Sequence, residues 1–497
     1  MPNTPSVTLA DRAARDGAVV TALRIWIDTD APDRFARRHA ALAAVFLGVG
    51  LAAAALLRLE LLTPRLDLLE AHTFGALLSL HASLLFYVVC VPAFPAIAGY
   101  LLVPRLVRVR TLAWPRLMLV AWCVLLLAGV AILDGFVRGG TEAGWTFDNQ
   151  FGGRFTAPGT LPLAVGVGAA GIALAIIGGN LLATIVRARH GRLATQDLPA
   201  VVALLCAAAT AVVAGVGIAV CAALAGLDHV AGPTLFDPAT GGSLLLFKSL
   251  CRLFLSASQS LMILTAFAVV LRVLAARCPA AMSARGARAT ACTLALLALA
   301  GLAGWPATEA SVPTGPFAGQ FPCALYVVAG AATLALVLRA TVLLWQRRAP
   351  LDGSLVLAGG FVLGMALLVG SGAALAMPAT GHLLGSTTFA TAHFHVLALT
   401  LAMALAAGLL DAWPPHAAWA RVASTVGAVV LLAGTYLTFL PMFLLGLAGA
   451  SFRANSYPPE FQVPQVLATA GMTILLAGLA ILVLGLLGGH TVSGPRD

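Results

Sequence analysis

The chain alternates long apolar runs with short polar interruptions, and the runs recur at nearly regular intervals. A helix needs about 20 apolar residues to cross the hydrocarbon core of a membrane. Twelve candidate runs begin near residues 40, 74, 115, 158, 198, 242, 287, 318, 353, 386, 417 and 460. The segments between them are too short to hold a soluble domain. The pattern predicts an all-α, polytopic membrane bundle of about 12 transmembrane helices. Residues 1–39 read as a cytoplasmic N-terminal tail, 40–490 as the membrane domain and 491–497 as a C-terminal tail. The charged tail precedes the first run, so no cleavable signal peptide is expected. Within it, Val19, Val20, Leu23, Ile25, Trp26 and Ile27 suit either a short interfacial helix or an unstructured segment.

Composition agrees: 60% of residues are hydrophobic and only 10% are charged. The net charge of +10 speaks to orientation rather than to nucleic acid. Arginines gather in the tail (Arg34, Arg37, Arg38) and then after alternate runs. Arg105, Arg108 and Arg110 follow the second, and Arg187, Arg189 and Arg192 the fourth. Arg277, Arg285 and Arg288 follow the sixth, and Arg347 and Arg348 the eighth. By the positive-inside rule both termini are expected in the cytoplasm, with the chain integral to a bacterial inner membrane.

Three histidines then stand out: His81, His393 and His395. An ionisable group inside a membrane span is costly and is read first as functional. Each lies about eight residues into a run entered from outside, so all three share one depth in the outer half of the membrane. Residues two apart on a helix differ by roughly 200° around its axis. His393 and His395 therefore face different neighbours, so that one can pair with His81 across a flat cofactor while the other binds something else. The bland alternative is that such histidines only hydrogen-bond neighbouring helices. The eight cysteines are scattered without a C-x-x-C pair and read as small packing residues.

Further motifs carry a family resemblance. Arg58-Leu59-Glu60-Leu61 with Pro64 is similar to R-x-E-L-x-x-P. Leu80-His81 through Gly99-Tyr100-Leu101 resembles a helix-two H-G-T…P-A…G-N-Y-L stretch. Ala113-Trp114-Pro115-Arg116-Leu117, Gly144-Trp145-Thr146 and Phe236-Asp237-Pro238-Ala239 resemble A-F-P-R-L, G-W-T and F-D-P-A. Ala392-His393-Phe394-His395 is similar to A-H-F-H. Thr438-Phe439-Leu440-Pro441-Met442 and Gly446-Leu447-Ala448-Gly449 resemble T-F-F-P-M and G-L-A-G. Their number, order and spacing resemble subunit I of the haem–copper oxidases, the cytochrome c oxidase type, over most of the chain.

The resemblance implies roles residue by residue. His81 and His395 correspond to the two axial ligands of the low-spin haem iron, and His393 to the single ligand of a second haem iron. Arg58 corresponds to the arginine beside the low-spin haem's formyl group. Arg453 corresponds to one of two arginines that hold haem propionates, with Phe452 in the other's place. Neutral imidazoles suit iron, and guanidinium groups suit carboxylates. Arg58 also reads as a residue snorkelling to the interface.

The departures matter as much. The family's copper ligands fall at Ser256 and near Trp305-Pro306, its proton-delivering glutamate at Ser258 and its cross-linked tyrosine at Ser260. A serine is a poor copper ligand. Thr111 stands at one proton entrance, Gly385-Ser386 replaces an outer histidine–aspartate pair, and the only lysine is Lys248. The expectation is a respiratory membrane haem protein that transfers electrons through a bis-histidine haem. Copper, oxygen reduction and proton pumping are expected to be lost. Two alternatives remain: a structural or assembly subunit without haem, and a copper-free haem enzyme acting on a diatomic gas. The implied partners are membrane lipid, subunits of the II and III type, and a donor such as cytochrome c, a cupredoxin domain or quinol.

Overall fold

The computed structural model describes residues 32–64, 68–141, 157–188, 193–232, 235–236, 240–278, 282–303, 320–347 and 349–488. Twelve of its helices are long and apolar enough to cross a membrane. In chain order they are α1 (Pro32–Glu60), α2 (Ala71–Leu106), α3 (Pro115–Val137), α4 (Thr160–Arg187), α5 (Leu198–Ala231) and α6 (Leu244–Arg277). They continue as α7 (Ala284–Ala303), α8 (Gln320–Trp345), α9 (Gly353–Ala376), α10 (Thr388–Ala412), α11 (Ala418–Leu447) and α12 (Gln462–Leu487). Among the described residues there is no strand, only an isolated bridge between Thr387 and Ser451. Helices are the expected answer, because in lipid every backbone polar group must be satisfied within the segment.

The predicted runs and the observed helices agree closely, with one correction at the start. Among the described residues the first helix spans Pro32–Glu60, so Arg34, Arg37 and Arg38 lie on it, ahead of the start expected near residue 40. Proline at a helix start and Asp33 in the first turn suit the donor-rich N-terminus. Arg105 at the end of α2 pairs with Asp33 at 3.3 Å, and the Arg38 guanidinium lies over the Phe35 ring. These contacts carry the helix past the polar residues at which an apolar-run reading stops. The stretch from Val19 to Ile27, the G-W-T motif, Asp237–Ala239, Trp305, Pro306 and residues 491–497 lie outside the described residues.

Neighbouring spans pack mostly as antiparallel pairs, α11 with α12, α4 with α5, α3 with α4 and α5 with α6. The α11–α12 approach depends on small residues. A Cβ on Gly434 would run into the backbone of Leu475, and one on Gly471 into that of Thr438. Close backbone approach through small residues is how membrane helices gain packing without a hydrophobic driving force. Spans α2, α6 and α9 are the most enclosed, whereas α1, α3, α8 and α12 present much of their surface outward. The outward positions carry large apolar side chains such as Leu127, Val186, Leu299, Val422 and Leu484, as a lipid-facing surface requires. Of the two histidine-bearing helices, α2 stands inside the bundle and α10 is intermediate in its enclosure.

On one side of the bundle Arg277 of α6 holds two carboxylates, Asp352 at 3.0 Å and Asp411 at 2.9 Å. Asp352 also caps α9 by accepting from the Leu355 N–H. One guanidinium thereby ties the ends of α6, α9 and α10 together.

Candidate functional site

Helix α2 changes character next to its histidine. It is α-helical over Ala71–Ser83, a π-helix over Leu84–Ala93, and α-helical again over Phe94–Leu106. Pro92 lies inside the π segment; its ring lacks an N–H and crowds the carbonyl four residues back. The Phe94 N–H accordingly reaches five residues back to the Val89 carbonyl. Widened turns of this kind occur often at functional sites. Here the turn begins three residues after His81. It sets Tyr87 against Phe254 of α6 at 5.5 Å between centroids, with Phe86 edge-on to Phe254 at 6.0 Å.

His81 and His395 meet. Their rings are nearly parallel, 10° apart, and the two Nε2 atoms face each other at 3.3 Å. Each Nδ1 is occupied elsewhere. His81 Nδ1 donates to the Gly50 carbonyl of α1 at 2.8 Å, and His395 Nδ1 donates to the Thr391 carbonyl at 2.8 Å. A carbonyl oxygen only accepts, so both Nδ1 atoms carry the proton and both Nε2 atoms present lone pairs. Two lone pairs aimed at each other in a buried place repel. Either a charged imidazolium or a metal ion between the rings would relieve them. Orientation of a ligating imidazole by a carbonyl on its other nitrogen is the usual arrangement at metal sites.

Gly50 leaves room beside this contact: a Cβ there would stand 2.8 Å from Leu85 Cδ2, which would have to move. The other face of His395 is covered by the Phe439 ring at 5.1 Å, a residue of the T-F-L-P-M motif on α11. Thr388 Oγ1 donates to the Met442 carbonyl at 3.0 Å, which fixes α10 against the same helix.

His393 points the other way, as the helical angle predicted. Its Nδ1 lies 2.8 Å from Ser371 Oγ on α9. Ser371 spends its single hydrogen on the Leu367 carbonyl at 3.0 Å, so it accepts from His393. The imidazole again carries its proton on Nδ1 and offers Nε2 as a donor of electrons. All three histidines are therefore tied in the same ligand-ready tautomer.

Arg58 is buried in α1 and donates to the Gln465 carbonyl at 2.7 Å and to Thr469 Oγ1 at 3.1 Å, both on α12. Its Nε has no hydrogen-bond partner. The snorkelling alternative does not describe a buried guanidinium held by a neighbouring helix. Tyr457 donates to the Leu61 carbonyl at 3.0 Å; partial burial raises its phenol above the usual value and Arg58 opposes the rise. Arg453 sits on the segment after α11, its guanidinium over the Phe452 ring at 5.0 Å. That segment is pinned to the start of α10, where the Thr388 N–H donates to the Ala450 carbonyl at 2.9 Å. Arg453 is thus placed at the end of the helix that carries His393 and His395.

The neighbouring α6–α7 contact is different. Ser256 of α6 donates to the Gly301 carbonyl of α7 at 2.6 Å. Ser260, one turn on, fills the space that a Cβ on Gly301 would need. Ser258 is fully buried, and its Oγ has no hydrogen-bond partner. Thr111 stands partly exposed after α2.

Sequence reasoning singled out the three histidines and the two arginines as candidates but did not mark the groups that hydrogen-bond them. Thr391 was within reach, being four residues before His395. Gly50 and Ser371 come from other helices, and no local signal marks them.

A model of the family described as cytochrome c and quinol oxidase polypeptide I matches residues 34–479. The chain belongs to this family. Cytochrome c oxidase subunit 1 of Synechocystis sp. is 27% identical over 417 residues, 82% of this chain and 74% of the relative. The subunit 1 of Thermostichus vulcanus is 26% identical over 422 residues, 82% of this chain and 74% of that relative. Among solved structures, a haem–copper terminal oxidase dimer determined by cryo-EM superposes with a TM-score of 0.70 at 12% identity. It covers 94% of this chain and 85% of that chain. The oxidase polypeptide I family, its twelve-span all-α fold and an integral membrane location therefore hold for this chain.

Proposed function

We propose that this chain is a respiratory electron-transfer subunit that binds a low-spin haem between His81 and His395 and a second haem on His393. We further propose that it lacks the copper centre and so does not reduce oxygen to water. The single observation that carries the first part is the opposed pair of Nε2 lone pairs, 3.3 Å apart and each locked by a carbonyl behind it. A metal–imidazole bond is about 2 Å long, so an iron between the rings needs about 4 Å. Parting the two rings by less than an ångström would admit the iron atom, and the two imidazoles suit it as donors.

Bound there, a haem supplies a one-electron carrier. The protein's own part is to hold the two imidazoles parallel, keep their protons on Nδ1 and exclude water with Phe439 and the surrounding apolar side chains. Such control of axial ligands and burial is how a protein tunes a haem's potential. Arg58, with its unpartnered Nε, and Arg453 offer cations to the polar substituents of the group. Ser371 prepares His393 for a single iron bond.

The serines support the loss of copper. Ser256 has turned its hydroxyl to a backbone carbonyl, and the sequence offers Trp305 and Pro306 where two further imidazoles would stand. Neither proline nor an indole N–H has a lone pair for a metal. Electrons would enter from cytochrome c, a cupredoxin domain or quinol, and subunits of the II and III type are the expected neighbours. The arginine asymmetry favours both termini in the cytoplasm of a bacterial cell.

The reduced-minus-oxidised spectrum of the purified chain tests this reading. Haem bands with iron and without stoichiometric copper are the expected result. A chain free of haem would favour a structural or assembly subunit. Rapid, cyanide-sensitive oxygen uptake with stoichiometric copper would overturn the proposed copper loss.

A further inference from the structure

Two cysteines that lie 30 positions apart in the chain are neighbours in the bundle. Cys221 of α5 and Cys251 of α6 bring their Sγ atoms to 3.1 Å. Both are buried, at 1% and 5% exposure. At 1.5 Å per residue, Cys221 lies about 15 Å before the end of α5 and Cys251 about 10 Å past the start of α6. The two sulfurs therefore sit near the same end of one helical hairpin.

The turn joining the two helices is itself held. Asp228 Oδ1 accepts from the Leu235 N–H at 2.6 Å, and the Leu235 carbonyl accepts from the Ser243 N–H at 2.9 Å. The approach of the sulfurs is thus built into the hairpin. Among the other described cysteines, Cys278 donates to the Leu343 carbonyl on α8.

We infer that Cys221 and Cys251 form a disulfide that staples α5 to α6. A disulfide needs its sulfurs about 2.05 Å apart, so closing the present gap takes about one ångström. In the orientation proposed above, this end of the hairpin faces the outer, oxidising compartment, where disulfides persist. The oxidant is a disulfide-bearing thiol oxidoreductase that meets the hairpin before the helices bury it. One cysteine thiolate attacks the oxidant's disulfide and forms a mixed disulfide. The second then displaces the oxidant's sulfur. Each cysteine loses one proton, and the two electrons leave on the oxidant as a dithiol. The staple fixes the helix that carries Ser256, Ser258 and Ser260.

Sequential alkylation of the full chain tests the inference, using protein isolated from membranes without reductant. Free thiols are blocked with one maleimide in denaturant, and the protein is then reduced and labelled with a second, heavier maleimide. The expected result is two of the eight cysteines carrying the second label, mapped by peptide mass to Cys221 and Cys251. The variants Cys221→Ser and Cys251→Ser should each release the remaining partner to the first label. First-label modification of both residues in the wild-type chain would overturn the staple, and that reading does not depend on how the variants fold. No haem signal enters the measurement. A C-terminal topology reporter tests the orientation separately, so the two ideas fail independently.

Discussion

The two walls of the bundle core use their polar atoms in opposite ways. On the α2–α10 wall, His81, His393 and His395 each tie Nδ1 to an oxygen and leave Nε2 aimed outward from that tie. On the α6–α7 wall, Ser256 gives its hydroxyl to a backbone carbonyl and Ser260 packs on a glycine. The first wall keeps electron pairs available for a metal, at the cost of repulsion between His81 and His395. The second uses its polar atom as a helix–helix contact. A buried polar group satisfied locally is a structural contact, whereas an unsatisfied one calls for an explanation, as at the His81–His395 pair and also at Ser258 Oγ on the second wall.

The contrast is broken most directly at the paired histidines. Replacing His81 or His395 by alanine should abolish the low-spin haem bands, while membrane insertion, read by protease protection, stays intact. Unchanged bands in either variant would remove the bis-histidine assignment. The second wall predicts a negative result of comparable weight: Ser256→His alone should bring no stoichiometric copper by elemental analysis, since Trp305 and Pro306 supply no further ligand. Recovery of a copper equivalent from that single change would show that the wall was never dismantled.

A smaller effect is expected behind the ligand. Ser371→Ala removes the acceptor from His393 Nδ1, and loss of such an outer partner costs roughly 10- to 100-fold in metal affinity. Haem retention on His393 during titration with a competing apoprotein reads this, and the His81–His395 bands should not move. Smallest is the anchor remote from both walls. Arg277→Gln breaks the links to Asp352, half exposed, and Asp411, about a third exposed, and partly exposed pairs contribute about 1 kcal/mol or less each. A melting temperature lowered by a few degrees with an unchanged haem spectrum is the expected outcome.

The sequence by itself determined the class of molecule and singled out the candidate site residues. Apolar run length dictates membrane helices because lipid leaves no other way to satisfy the backbone, and all twelve runs became helices. The cost of burying a histidine made His81, His393 and His395 conspicuous, and the spacing of 393 and 395 already required two different neighbours. The first helix was misjudged at its start because Asp33, Arg34, Arg37 and Arg38 interrupt the apolar pattern. Two of their partners, Arg105 on α2 and the Trp413 ring after α10, are supplied by the folded bundle.

Only the tertiary structure decided what those residues can do. Which ring nitrogen of His81 carries a proton depends on the carbonyl of Gly50, 31 positions away. The tautomer of His393 depends on a serine of another helix. The meeting of Cys221 with Cys251 depends on how α5 lies against α6, and the two were read from sequence as isolated packing residues. Hydropathy is a property of each segment and survives in a one-dimensional reading. Hydrogen-bond partners and the facing of two lone pairs are properties of the crossing between segments, and they exist only once the helices have packed.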